Sequence, residues 1–241
     1  MKLFEVIGHR GAGTLEDENT LESFKKAFEI GCTRIELDIH ISSDGHAVII
    51  HDPFLDKTTN GTGLVQDLTL STIKKFVTKS GYQVPELSEL FTLFKGKNIN
   101  FQIELKGKDS EKVVPGIVTA FGLEKNVRYT SFIHTRVKTA LEETPGTEGG
   151  LLMCSVVIDP YALLQEAGAQ CLHLNKRLVT AGLVEKIHKK GCKVIAWEHI
   201  IKESDFLDLV SSGVDGATTD RPDLFLRFLM RNQAGSLNRK E

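Results

Sequence analysis

Short apolar runs alternate with longer amphipathic segments along the chain, and this pattern predicts its secondary structure. The apolar runs predict eight strands, near residues 4–9, 34–40, 99–105, 127–132, 150–155, 170–174, 192–197 and 214–218. The amphipathic segments predict eight helices, near residues 20–30, 86–95, 110–121, 134–142, 160–167, 180–190, 203–211 and 222–230. Eight strand–helix units indicate an α/β fold, a TIM (β/α)8 barrel, with a doubly wound open sheet as the alternative.

One region interrupts this rhythm after the second strand. Asp44-Gly45 favours a tight hairpin, so residues 47–50 are predicted to run antiparallel to strand 34–40. The same hairpin would bring His51 close to Glu36. We interpret residues 42–85 as a small insertion at the barrel mouth that caps the site, with a short helix at residues 70–79, and residues 1–241 as a single domain.

Composition excludes several classes of protein. The chain has 241 residues, is 41% apolar and 26% charged, and carries a formal charge of −2, so nothing global favours nucleic acid. No segment approaches the roughly 20 apolar residues of a spanning helix, and the start lacks the apolar stretch of a signal peptide. We therefore expect no stable membrane insertion and a cytoplasmic location. Four cysteines without CxxC spacing argue against a zinc site.

Ionisable residues recur at the predicted strand ends. Glu36 and Asp38 alternate on the second strand, and Glu104 and Lys106 alternate on a later one. Residues i and i+2 of a strand share a face, and a charge inside an apolar strand is costly unless it is paired or binds a metal. Two interpretations remain open: a buried ion-pair network of these three carboxylates with Arg34, or a divalent-cation site formed by Glu36, Asp38 and Glu104. Oxygen ligands of this kind suit Mg²⁺ or Ca²⁺.

The remaining candidates suit an anionic substrate. Arg10 can clamp a phosphate through its planar guanidinium, and Lys106 can neutralise a phosphate oxygen as a point charge, although both could instead pair with nearby glutamates. His9 and His51 are candidates for general acid and base. Trp197, the only tryptophan, lies at a predicted strand end and either lines a substrate pocket or packs in the core.

Taken in order, these residues form a series that resembles the glycerophosphodiester phosphodiesterase family over nearly the whole chain. Each motif is short, and their order and spacing make the resemblance specific. The motifs are His9-Arg10-Gly11, Glu18-Asn19-Thr20, Glu36-Leu37-Asp38, Asp44-Gly45, His51-Asp52, Glu104-Leu105-Lys106, Ser131-Phe132, Trp197, Gly213-Val214-Asp215-Gly216 and Thr219-Asp220-Arg221-Pro222.

The resemblance implies a TIM barrel with a small insertion after the second strand. It implies hydrolysis of a glycerophosphodiester, a small-molecule substrate, to an alcohol and glycerol 3-phosphate. Mg²⁺ or Ca²⁺ would be held by Glu36, Asp38 and Glu104, His9 and His51 would be the acid/base pair, and Arg10 and Lys106 would contact the phosphate.

The chain departs from the family pattern at two points. Asp17 replaces the proline that usually precedes the glutamate of the second motif. Glu198-His199-Ile200 replaces the Thr-Val-Asn that usually follows the tryptophan, in a loop well placed to touch the leaving alcohol. The first departure lies beside Glu18, and the second leaves the metal site intact.

Two other functions stay open from sequence. One is a lysophospholipid-cleaving barrel of the phospholipase-D type, which would need an apolar entrance; the apolar residues of the insertion could supply it or could form a small core of their own. The other is a non-catalytic barrel that binds phosphodiesters. Neither head-group preference nor oligomeric state can be inferred from the sequence.

Overall fold

The architecture is known from a computed structural model, which describes residues 4–237 and, within them, the side chains of residues 4–232. Eight parallel strands form a closed barrel, and a ninth short strand is paired outside it. The strands are β1 Glu5–Gly8, β2 Arg34–Ile41, β3 Ala47–Ile49, β4 Asn100–Leu105, β5 Val127–Ser131, β6 Glu148–Met153, β7 Cys171–Asn175, β8 Lys193–Trp197 and β9 Gly216–Thr219. The predicted TIM barrel is thereby confirmed.

The barrel closes because β1 pairs in parallel with both β2 and β9. Helices follow the strands and cover the outside of the barrel. They are α1 Leu21–Ile30, α2 Leu70–Ile73, α3 Leu87–Leu93, α4 Ser110–Phe121, α5 His134–Glu143, α6 Pro160–Ala167, α7 Ala181–His188, α8 Glu203–Ser212 and α9 Pro222–Leu237. No helix of this part of the chain combines the length and the apolar character needed to cross a membrane.

Local sequence explains where the helices begin and end. Thr20 caps α1 by accepting a hydrogen bond from the Ser23 amide, and Gly31 ends the helix with φ +102°, a conformation that glycine adopts without a side-chain clash. Asp159 caps α6 directly before Pro160, whose missing N–H costs nothing at the first helical position. The cap of α1 ends the loop after β1, which carries the candidate residues His9 and Arg10.

Alternation along the strands separates two environments. On β2, the side chains of Ile35, Leu37 and Ile39 pack outward in an apolar cluster with the surrounding helices. Glu36 and Asp38, the residues between them, point into the barrel. The pattern that defines the barrel therefore also places both carboxylates at its interior.

The insertion after β2 begins as predicted, with β3 antiparallel to β2 and Ile39 opposite Ile49. Its apolar side chains form a separate small core of Val48, Ile50, Leu55, Val65, Ile73 and Val84. The insertion packs beside the loop after β1, where Tyr82 donates to Glu16 and the Ser80 amide donates to Asp17. It therefore lies next to the barrel mouth, and that it caps the site stays a prediction.

Two helices differ from prediction. The helix expected over residues 70–79 ends at Ile73, because Val77 and Thr78 use their backbone in bridges to Gln83 and Thr59. The last helix continues to Leu237 instead of ending near residue 230. Strand ends shift by one or two residues; β6 begins at Glu148, two residues before the predicted start.

Candidate active site

A cavity of about 230 Å³ opens at the carboxyl ends of the barrel strands. Seven of the eight predicted site residues line it: His9, Arg10, Glu36, His51, Glu104, Lys106 and Trp197. The eighth, Asp38, lies directly behind them and contacts both Arg10 and Lys106. These residues come from β2, β4 and β8 and from the segments that follow β1, β3 and β4. We call the space that they surround the mouth cavity.

The carboxylates of Glu36, Asp38 and Glu104 form a compact acidic triad. One oxygen of each lies within 4.8 Å of the others, and Glu36 and Asp38 are only 3% and 1% exposed. Burial and the neighbouring Asp38 raise the pKa of Glu36 to about 8 and that of Glu104 to about 7. Burial acts the same way on Asp38, but Lys106 and Arg10 outweigh it and lower its pKa to about 2. This geometry could hold a metal ion.

Arg10 is fixed at the mouth cavity by three contacts. Its backbone amide donates to Glu36 Oε2 at 2.8 Å, its Nη1 donates to Glu18 Oε1 at 2.8 Å, and its Nε lies 3.5 Å from Asp38 Oδ2. The residue adopts φ +51°, a conformation that non-glycine residues adopt only where the surroundings hold them. The predicted pairing with Glu18 is therefore present, and it holds the guanidinium at the cavity wall.

Both candidate histidines hydrogen-bond to a carboxylate through Nδ1. His9 Nδ1 lies 2.5 Å from Asp220 Oδ1, and His51 Nδ1 bonds to Asp52. Burial lowers the pKa of His9, but Asp220 and Glu36 outweigh it, so the pKa is raised. Burial and the cations Arg10 and Lys106 lower the pKa of His51 despite Asp38. Such pairing orients each ring and leaves Nε2 as the ring nitrogen that is not bonded to a carboxylate.

Lys106 connects the acidic triad to His51. Its Nζ lies 3.3 Å from Glu104 Oε1 and 3.6 Å from Asp38 Oδ1, and it donates to His51 Nε2 at 3.0 Å. These carboxylates raise the pKa of Lys106 despite its burial, so the ammonium stays charged. The cavity therefore holds fixed positive charge from Arg10 and Lys106 beside its negative triad.

The outer wall of the mouth cavity is aromatic. Trp197 Nε1 donates to the carbonyl of His173 at 3.1 Å, which fixes the indole ring. Phe132 meets it edge-to-face, with ring centroids 5.3 Å apart. Trp197 is thus a pocket residue rather than part of the core, as one of the two sequence interpretations proposed.

Several residues of the site had no assigned role in the sequence analysis. Asn19 donates to Asp38 Oδ2 at 2.8 Å, Asp52 and Asp220 bond the two histidines, and Gln102 and Thr218 line the cavity floor. Asn19, Asp52 and Asp220 belong to the quoted family motifs, and Asp220 also follows the last strand, as His9 follows the first. Gln102 could have been found from its position two residues before Glu104 on β4.

A parallel barrel with carboxylates, paired histidines and fixed cations at the carboxyl ends of its strands is a (β/α)8 enzyme with a site for an anionic substrate. The model of the glycerophosphoryl diester phosphodiesterase family matches residues 9–224. The chain therefore belongs to this family and is a phosphoric diester hydrolase.

Relatives agree in sequence and in structure. A glycerophosphodiester phosphodiesterase of Caldanaerobacter subterraneus is 33% identical over 240 residues, which span 94% of this chain and 98% of that protein. An Oleispira antarctica phosphodiesterase, solved in complex with its product sn-glycerol-3-phosphate, superposes with a TM-score of 0.86 at 26% identity over 94% of this chain and 97% of that one. A glycerophosphodiester phosphodiesterase of Agrobacterium tumefaciens superposes with a TM-score of 0.83 at 28% identity, over 92% of this chain and 99% of that one.

Proposed function

We propose that this chain hydrolyses glycerophosphodiesters to an alcohol and glycerol 3-phosphate in a reaction that depends on a divalent cation. The observation that carries the proposal is the joint presence, in one cavity, of the acidic triad and two carboxylate-paired histidines. The names of the Caldanaerobacter and Agrobacterium relatives, and the product bound to the Oleispira enzyme, support the same substrate class.

The donor set of the acidic triad fits Mg²⁺ or Ca²⁺. Three carboxylates converge beside only two fixed cations, and burial together with the charge of Asp38 raises the pKa values of Glu36 and Glu104; a divalent cation would offset both effects. Glu36, Asp38 and Glu104 would hold the ion. When bound, the ion would supply Lewis-acid polarisation of a non-bridging phosphate oxygen.

The chain's own residues would perform the rest of the reaction. Arg10 and Lys106 would bind the phosphate oxygens, with Arg10 held in place by Glu18. One histidine would accept the proton of the attacking hydroxyl while the other donates a proton to the leaving oxygen as the phosphorus–oxygen bond breaks. Asp220 and Asp52 would orient His9 and His51 for these transfers.

The attacking hydroxyl belongs either to water or to the glycerol of the substrate. Attack by the glycerol hydroxyl would give a transient cyclic phosphate, which phosphorus NMR would detect during turnover. We further propose that residues 1–241 form a single catalytic domain with its insertion at about 42–85, and that the location is cytoplasmic; both stay predictions of the sequence.

Release of glycerol 3-phosphate from glycerophosphodiesters tests the proposal. The purified protein is assayed with Mg²⁺, Ca²⁺, Mn²⁺ or EDTA, beside His9→Ala and His51→Ala. We expect activity that needs the cation and falls about 10²–10⁴-fold in each histidine variant. Full activity in EDTA would contradict the cation dependence, and near-normal turnover in both variants would contradict the histidine roles.

A lysophospholipid substrate is a second candidate, and one feature favours it. Among residues 4–232, most of the large apolar side chains that are exposed lie on loops that follow barrel strands, and so surround the mouth: Leu15, Phe132, Ile133, Val156, Ile158 and Ile201. An acyl chain could rest on this rim. Membership in a family of hydrolases, in contrast, favours catalysis over the binding-only alternative.

Paired substrates separate these candidates. Turnover of a lysophosphatidylcholine is compared with that of glycerophosphocholine, in the wild type and in Ile158→Ser, which changes a fully exposed rim residue. Faster turnover of the lysophospholipid, reduced selectively by Ile158→Ser, would establish it as the preferred substrate. Faster turnover of glycerophosphocholine in both proteins would retain the proposed function.

A further inference from the structure

The outer half of the mouth cavity differs in character from its floor. Cations and carboxylates line the floor, whereas Phe132, Leu152 and Trp197 form the outer wall. Two ionisable residues from the loop after β8 also line the cavity: Glu198 beside this apolar wall, and His199, whose side chain is 80% exposed. Because the phosphate-binding groups lie at the floor, the outer half is where the alcohol portion of the substrate would rest.

The Glu198 carboxylate is fixed in place without being neutralised by a lysine or arginine. Asn175, at the end of β7, donates from Nδ2 to Glu198 Oε2 at 3.0 Å. The Asn175 amide is itself held, because its Oδ1 accepts a hydrogen bond from the Arg177 backbone. Within residues 4–232, the one ionisable group that contacts this carboxylate is the exposed His199 ring, whose Nε2 lies 3.6 Å from Glu198 Oε1.

The backbone at Glu198 is held in an unfavourable conformation. Its φ is +94°, and His199 follows at φ +32°. A glutamate in this region is strained and persists only where the surroundings over-determine it. The hydrogen bond from Asn175 and the edge-to-face pair of Phe132 and Trp197 flank this position, so the strained turn presents its carboxylate beside the aromatic wall.

We propose that Glu198, with Phe132 and Trp197, selects substrates whose leaving alcohol carries an ammonium group over substrates with a neutral polyol. The proposal rests on the proposed function and names its substrate class. A cation is attracted to the face of an aromatic ring, and a carboxylate with reduced access to water adds a direct charge interaction. Arg10 and Lys106 at the floor would contact the negative phosphate, and Glu198 at the outer wall would contact the positive ammonium group. The charges of the cavity would therefore match those at both ends of a zwitterionic phosphodiester.

Competition between head groups tests this inference directly. The kcat/KM for glycerol 3-phosphate release is measured with glycerophosphoethanolamine and glycerophosphocholine, each relative to glycerophosphoglycerol, whose head group is neutral. We expect a preference of about tenfold for the two cationic head groups in the wild type. Glu198→Gln should reduce this ratio toward one, and Glu198→Lys should invert it.

Matched controls keep the result specific. Glu203→Gln removes the same charge five residues further on, at the exposed start of α8, and should retain the wild-type ratio. Phe132→Leu keeps an apolar side chain without the ring and should lower the preference for the choline substrate. Thermal denaturation of each variant shows whether it is folded before ratios are compared.

The outcomes also separate this inference from the function on which it depends. Equal ratios in the wild type and Glu198→Gln, with clear glycerol 3-phosphate release, would overturn the role of Glu198 and leave the hydrolase function standing. A preference for the neutral head group in the wild type would do the same. Absence of release from all three substrates with any cation would instead overturn the proposed function itself.

Discussion

Two layers of charged side chains lie inside the same barrel, and they have opposite ratios of carboxylates to cations. The upper layer is the acidic triad with Arg10 and Lys106. The lower layer, which we call the lower network, lies at the amino ends of the strands and consists of Glu5, Arg34, Arg128, Glu148 and Lys193. Both layers place carboxylates where water is largely excluded.

The lower network is closed by its own ion pairs. Glu5 joins Arg34 at 2.8 Å and Arg128 at 2.9 Å, and Glu148 accepts from Arg128 Nε at 2.8 Å and from Lys193 at 2.7 Å. Burial raises the pKa of Glu148, but Arg128 and the other cations outweigh it and lower that pKa to about 2. Two carboxylates face three cations, and every carboxylate has a partner.

The acidic triad has the reverse balance. Three carboxylates face two fixed cations, and the pKa of Glu36 rises to about 8, where that of Glu148 falls to about 2. The residue types are alike, but Glu36 is more deeply buried than Glu148, so burial and the ratio of charges together decide the difference. A layer in which cations outnumber carboxylates keeps its carboxylates ionised, whereas a layer in which carboxylates outnumber cations is suited to hold a divalent cation.

The largest difference is expected from Glu36→Gln, which removes one carboxylate of the triad. Because the side chain would no longer serve as a charged ligand, kcat/KM should fall by at least about 10³-fold. Unfolding in urea with EDTA should show stability equal to or above that of the wild type, since the variant loses a buried charge that lacks a full partner. Loss of less than tenfold in activity would contradict the ligand role.

The converse is expected from Glu148→Gln in the lower network. Removing one partner leaves Arg128 buried with too few anions, so the free energy of unfolding should fall by about 3–5 kcal/mol. Activity measured well below the melting temperature should stay within a few-fold of wild type, because the network lies at the opposite end of the barrel from the mouth cavity. A variant of wild-type stability would show that the lower network contributes nothing net.

The upper layer could be predicted from sequence because its signals are local. Alternation within β2 and β4 placed Glu36 with Asp38 and Glu104 with Lys106, and the Asp44-Gly45 turn returned His51 to the same end of the barrel. Strand-end positions are sufficient here, because the carboxyl ends of parallel strands meet at one edge. The roles of these residues stay predictions.

The lower network could not be predicted, because its pairs form through barrel closure. Arg128 meets Glu5 across 123 positions of sequence, and this contact depends on the packing of all eight strands. Glu148 was also missed because Glu148-Gly149-Gly150 lacks apolar alternation, so the strand was expected to begin two residues later. The pairing of His9 with Asp220 joins residues 211 positions apart for the same reason.

Stability should depend on pH in opposite directions for Glu148 in the lower network and Glu36 in the acidic triad. The folded pKa of Glu148, about 2, lies below the ordinary value of 4.5, so its contribution, on the order of 3 kcal/mol, is present above about pH 4.5 and lost toward pH 2. The folded pKa of Glu36, about 8, lies above 4.5, so its contribution is present below about pH 4.5 and lost as pH rises toward 8.

Urea unfolding in EDTA across this pH range measures both effects. The acid-side loss should be smaller in Glu148→Gln, with a remainder from carboxylates such as Asp38, and the loss between about pH 4.5 and 8 should be smaller in Glu36→Gln. An acid-side loss that is unchanged in Glu148→Gln would assign it to carboxylates outside the lower network. If the free energy of unfolding falls equally between about pH 4.5 and 8 in Glu36→Gln and in the wild type, the triad is not the source of that fall.

The smallest expected effect is stabilisation by the cation alone. A ligand that binds only the folded state adds about 2.7 kcal/mol at one hundred times its Kd, so Mg²⁺ or Ca²⁺ should raise the melting temperature of the chelator-treated protein by roughly 5–10 °C. Glu148→Gln should show the same rise from a lower starting temperature, since its triad is intact. Glu36→Gln should show little or none. Equal rises in melting temperature in all three proteins would locate the cation outside the triad. The charge difference between the two layers would then be unrelated to cation binding.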